Sequence, residues 1–82
     1  MSLRMSSETK LAPEQVVERA VQFFGQEYGL TVAWRSPVSA RFEGGGGHVQ
    51  LTATARPKGS EVELETMEWD VQVREFAGRL PR

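Results

Sequence analysis

Residues 31 to 66 alternate apolar and polar side chains with a period of two through three interruptions, and this rhythm restricts the possible folds more than any other feature. Successive side chains of an extended strand point to opposite faces. TVAWR (31–35) therefore sets Val32 and Trp34 on one side, and VSARFE (38–43) sets Val38, Ala40 and Phe42. HVQLTATAR (48–56) does the same with Val49, Leu51, Ala53 and Ala55, and EVELET (61–66) with Val62, Leu64 and Thr66. The interruptions are short, and short connections between neighbouring strands make an antiparallel meander.

The register can be tested against those faces. A four-residue loop at Gly44–Gly47 sets Glu43 opposite His48, Phe42 opposite Val49, Ala40 opposite Leu51 and Val38 opposite Ala53, so that apolar meets apolar; a slip of one residue would break the match. A loop at Pro57–Ser60 sets Ala55 against Val62, Ala53 against Leu64 and Arg56 against Glu61. A loop at residues 35–37 sets Trp34 against Val38 and Val32 against Ala40. The four consecutive glycines belong to this turning role. A phosphate-gripping loop runs from a strand into a helix and ends in lysine, whereas here His48 and another strand follow.

Before the strands, APEQVVERAVQFFGQEYGL reads as an amphipathic helix. Pro13 suits the first helical position and Glu14 the positive end of the helix dipole. Val16, Val17, Ala20, Val21, Phe24 and Tyr28 share one face, with Phe23 at its margin, and Gly29 is the stop onto which Leu30 folds back. After the strands, Trp69, Val73, Phe76 and Leu80 recur at helical spacing, while Met67, Trp69, Val71 and Val73 also alternate as a strand would. Glu68 and Asp70 near one end, Arg79 near the other and Pro81 beyond favour a helix, which leaves Met67 and Val71 on its flank.

The predicted fold class is α+β: a two-layer sandwich of helix, four-stranded antiparallel meander and helix, with both helices on one face of the sheet. Residues 11–82 form the single domain. Residues 1–10, MSLRMSSETK, are polar and read as a disordered tail, with Met1–Arg4 as an expression-derived addition and Met5 as the natural start.

Composition then narrows the function. With 82 residues the core is small, and such domains lean on disulfides, metals or a partner subunit. There is no cysteine and one histidine, so association with a second copy is the remaining prop and no metal or cofactor is expected. Ten basic against eleven acidic residues supply no footprint for a nucleic-acid backbone or an anionic membrane, and the last helix opens EWDVQ without a lysine. No apolar run suggests a membrane span or signal peptide, so the expected location is the cytoplasm.

The uncovered sheet face is the predicted interaction surface: Arg41, Gln50, Thr52, Thr54, Glu63 and Glu65, with Arg41 positioned to meet Glu63 or Glu65 of a second copy in a two-fold homodimer. Glu61, Glu63 and Glu65 recur every second residue, roughly 7 Å apart, and Glu43 opposite His48 resembles an acid–base pair. Carboxylates standing in water lack the burial that catalysis needs, so no catalytic residue is assigned. The expected function is a small non-enzymatic interaction domain, a binding module that self-associates through its polar sheet face or edge or meets another protein. The alternative is a carrier that holds a small hydrophobic ligand in an aromatic cleft lined by Tyr28, Trp34, Trp69 and Phe76.

Overall fold

A computed structural model describes residues 2–82. The chain runs β1 (Ser2–Thr9), α1 (Pro13–Ala20), a π-helical continuation (Val21–Glu27), β2 (Thr31–Arg35), β3 (Ser39–Gly44), β4 (Gly47–Arg56), β5 (Gly59–Met67) and α2 (Asp70–Arg79). All five strands join one antiparallel sheet in the order β1-β5-β4-β3-β2. The α+β class with an antiparallel sheet therefore holds, but the sheet has five strands where the sequence pattern predicts four.

The extra strand is the segment read as a disordered tail. Ser2 to Thr9 pair in unbroken register with Met67 to Ser60, and the ordered domain begins ahead of residue 11. Leu3, Met5, Ser7 and Thr9 lie on the covered side, and only the first two are apolar. The buried Thr9 is kept by its hydroxyl, which donates to the Pro81 carbonyl, and the Ser60 hydroxyl donates to the Leu11 carbonyl at 2.7 Å. Buried hydroxyls with partners cost little, so polar composition here conceals a strand.

The glycine turn keeps the predicted register: Glu43 opposes His48, Phe42 opposes Val49 and Ala40 opposes Leu51. Gly44 and Gly47 themselves pair, leaving a two-residue tip of Gly45 (φ 58°) and Gly46 (φ 78°). Positive φ at both tip positions is what a hairpin turn matching strand twist requires. The next hairpin is tighter than predicted. Arg56 pairs Gly59 around Pro57–Lys58, so Ala55 opposes Ser60, Ala53 opposes Val62 and Leu51 opposes Leu64. This register differs from the expected one by two residues, an even shift that leaves each side chain on its predicted face.

The first hairpin departs further. A bulge between Val32 and Trp34 sets Val32 against Phe42 but Trp34 against Arg41, and Arg35 against Ala40. The extra residue reverses the alternation, so Trp34 leaves the side that Val32 occupies. Trp34 is 44% exposed, and Val38 lies outside the strand and is exposed too.

The helices supply the rest of the core. Gln15 accepts from the Ala12 N–H at 2.9 Å, and Pro13 occupies the first helical position. From Val21 the helix widens: the Tyr28 N–H donates to the Phe23 carbonyl, five residues back, at 3.2 Å. Each π hydrogen bond spans one residue more than an α-helical one and shifts the 3.6-residue stripe; Phe23 and Phe24 are both buried, while Tyr28 is 38% exposed rather than part of the core stripe. Gly29 (φ 73°) ends the helix, and the Leu30 N–H returns to the Phe24 carbonyl at 2.9 Å.

At the other end, Met67 closes β5, Glu68 takes a positive φ of 78°, and α2 starts at Asp70. Residues 67–73 therefore divide between strand end, reversal and helix. Val73, Phe76 and Ala77 of α2 are buried with Leu80 just beyond it, and Met67 and Val71 are exposed. The Phe24 ring lies 5.4 Å from Phe42 of the sheet and 5.3 Å from Phe76 of α2, and Phe42, Leu51 and Leu64 are buried in the same cluster.

Candidate functional site

Directly opposed residues of an antiparallel ladder share a face, so the pairings trace the polar side of the sheet row by row. One row crosses all five strands as Trp34, Arg41, Gln50, Glu65 and Arg4. Beside it run Ser39, Thr52, Glu63 and Ser6, then Thr54, Glu61 and Glu8. The six residues predicted as an interaction surface do lie together on this side. The bulge adds Trp34, and β1 adds Arg4, Ser6 and Glu8, none of which sequence reasoning placed there.

The charges are largely satisfied within the sheet. Arg41 donates from Nε to Glu43 Oε2 at 2.9 Å and from a terminal nitrogen to Gln50 Oε1 at 2.9 Å. Glu65 lies 2.7 Å from His48 Nε2, which replaces the expected Glu43–His48 pair by a diagonal one. Arg56 bonds Glu61. The Ser39 hydroxyl donates to the Leu51 carbonyl at 2.7 Å and lies 3.3 Å from the Thr52 hydroxyl. Arg41 is thus held by its own chain. Glu63 is exposed, and among the described residues it forms no ion pair.

The aromatic residues predicted as a cleft separate into two places. Tyr28 stands 6.1 Å from Trp69 and 5.2 Å from Phe23, whose ring is 5.6 Å from Phe76. Trp34 sits across the sheet beside Arg41. Tyr28, Trp69 and Phe76 therefore belong to one continuous aromatic stack, and the Trp69 indole N–H donates to the Gly44 carbonyl at 2.9 Å, clamping the glycine hairpin. A hollow of about 250 Å³ flanks Phe76 and Phe23 under Arg19 and Arg79, and Arg79 lies 5.3 Å above the Phe23 ring.

The Tyr28 hydroxyl has a displaced ionisation. Its hydroxyl donates to Glu75 Oε1 at 3.0 Å, which raises its pKa above the ordinary 10.0; desolvation and the charges of Glu75 and Glu27 add to the rise, and Arg79 opposes it. Among the described residues no three His, Asp or Glu side chains converge as metal ligands would, and no helix is long and apolar enough to cross a membrane.

No protein-family model matches the chain, and no curated protein matches it. Among solved structures it resembles the crystal structure of the protein SSP2350 from Staphylococcus saprophyticus, with a TM-score of 0.63 and 15% sequence identity over 95% of this chain and 79% of that one. Likeness at that identity extends to the fold alone.

Proposed function

We propose that this chain is a small non-enzymatic interaction domain that associates with a second copy of itself through the open side or the edge of its sheet. The observation that carries the reading is the uneven use of the sheet. The apolar side is buried with residues of both helices, which we take to lie together on that face because Phe24 touches both Phe42 and Phe76. Among the described residues no element lies over the polar side, and the sheet ends in two strands, β1 and β2, each with one edge not paired to another strand. Unpaired edges are templates for another strand.

The edge draws more support than the face, because Arg41 is already bonded to Glu43 and Gln50 and would have to release them to reach a second copy. A non-enzymatic role is supported by the carboxylates: Glu43, Glu61 and Glu65 are each tied to a basic neighbour on an accessible surface. The cytoplasm fits a domain without cysteine, whose fold needs no disulfide. The carrier alternative draws less support, since Tyr28, Phe23 and Phe76 fill one another's contact distance.

Sedimentation equilibrium tests the proposal. A mass twice the 9.2 kDa of the chain is expected; a monomer up to millimolar concentration would overturn it. A hydrophobic small molecule retained through purification and seen by native mass spectrometry would favour the carrier.

A further inference from the structure

We infer that two copies join through β1, antiparallel about a two-fold axis at Ser6, to make one continuous ten-stranded sheet; this rests on the self-associating reading above. The two edges of the sheet differ in what they offer. β2 is five residues long and interrupted by a bulge, which bends a strand and disrupts its pairing. β1 is eight residues long, free of proline, and pairs with β5 without a bulge, so its outer side presents a regular run of unpaired N–H and C=O groups. A long, regular edge is the kind that recruits another strand; only at its far end does the C-terminal segment meet it, the Pro81 carbonyl accepting from the Thr9 hydroxyl and the Lys10 N–H.

Charge fixes the register. On the polar side β1 carries Arg4, Ser6 and Glu8, and among the described residues neither Arg4 nor Glu8 forms an ion pair. Within its own sheet Glu8 stands opposite Glu61, a like-charge pairing that costs stability, whereas Arg4 stands opposite Glu65. An axis at Ser6 sets each Arg4 opposite Glu8 of the second copy, giving two attractive pairs and offsetting the Glu8–Glu61 repulsion. An axis at Arg4 would oppose two arginines, one at Ser7 would oppose Arg4 to Lys10, and one at Glu8 would oppose two glutamates. With the axis at Met5, Arg4 meets Ser6 and no opposite charges meet. The Ser6 register also sets Met5 against Ser7 and Leu3 against Thr9 on the helix side, so the half-buried Leu3 and Met5 gain a neighbouring strand.

The test is a charge exchange on the full chain, read as the dimer dissociation constant by sedimentation. Arg4→Glu and Glu8→Arg should each weaken association roughly tenfold or more, because each turns both attractive pairs repulsive. The double variant R4E/E8R should return to within roughly threefold of the parent, the pairs being restored with their signs exchanged. Mixing the two single variants should also restore association, since each then meets its opposite at both positions. Circular dichroism verifies folding, and the mixing experiment is immune to a loss of stability common to either single change. Single variants that bind as tightly as the parent, or a mixture that stays monomeric, would overturn the β1 register. A parent dimer insensitive to both exchanges but broken by Trp34→Glu would leave self-association standing and move it to β2 or the face. A monomeric parent would overturn both readings.

Discussion

Phe24→Ala is the change that most directly probes how the helices are tied to the sheet. Phe24 is fully buried, with the rings of Phe23, Phe42 and Phe76 at 5.0, 5.4 and 5.3 Å. Truncation removes roughly 100 to 150 Å² of buried apolar surface, about 3 kcal/mol at about 25 cal/mol per Å². The neighbours belong to three different segments, so the gap cannot close by one side chain swinging in, and the residual cavity adds about 1 kcal/mol more. The expected loss is thus about 4 kcal/mol, against a total stability of roughly 4 to 12 kcal/mol for a domain of this length. Urea unfolding followed by circular dichroism measures it, with Val71→Ala as a control: Val71 is 72% exposed on α2 and should change stability by under about 0.5 kcal/mol. A Phe24→Ala loss below about 1.5 kcal/mol, or one matched by Val71→Ala, would refute the reasoning, because Phe24 would then not lie where sheet and helices meet.

Replacing Gly45–Gly46 by Asn-Gly should cost about 1 kcal/mol, since Asn tolerates positive φ at the first tip position but its Cβ would fall 2.9 Å from the Trp69 ring, which must shift against its own bond to the Gly44 carbonyl. Gly47→Ala should cost more than about 2 kcal/mol, because the added Cβ would fall 2.0 Å from the Met67 carbonyl oxygen, a backbone atom held in the β5 ladder; the same urea experiment ranks the two. Spectrophotometric titration should show Tyr28 ionising above pH 10, and Glu75→Gln should bring the midpoint down. The sign follows from the raised folded-state value: this stabilisation is complete below the unfolded tyrosine pKa and is lost as the pH climbs through the folded one. An unshifted midpoint in both proteins would show that the Tyr28–Glu75 contact is absent in solution.

The strands from 31 to 66 were legible because their buried positions carry Phe42, Val49, Leu51, Val62 and Leu64 at strict two-residue spacing. The second hairpin keeps its predicted face yet lies two residues from its predicted register, since two- and four-residue loops both preserve parity and the apolar pattern alone cannot separate them. Trp34 departs from its predicted face for the opposite reason: one bulged residue changes parity, and nothing in the alternation of TVAWR announces it. Tyr28 left the core because the helix widens after Ala20, which a fixed 3.6-residue period does not represent. β1 lacks an alternating signature because its inward positions include Ser7 and Thr9; the burial of Thr9 depends on a carbonyl from the far C-terminus, at Pro81, a contact no local pattern announces. The polar face itself is legible in the two-residue alternation. Which of its charges remain free does not show in the pattern, because Arg41 finds Glu43 and Gln50 at home, and among the described residues Arg4 and Glu8 of β1 form no ion pair, nor does Glu63 of β5.

The five-stranded topology and the dimer register both require β1 to be part of the sheet. Nuclear Overhauser contacts between backbone protons of opposed strands test this directly, and they should link Arg4 to Glu65 and Ser6 to Glu63, with slow amide exchange in the same segment. Random-coil shifts for residues 2–9, with no contact to β5 and fast exchange throughout, would contradict it.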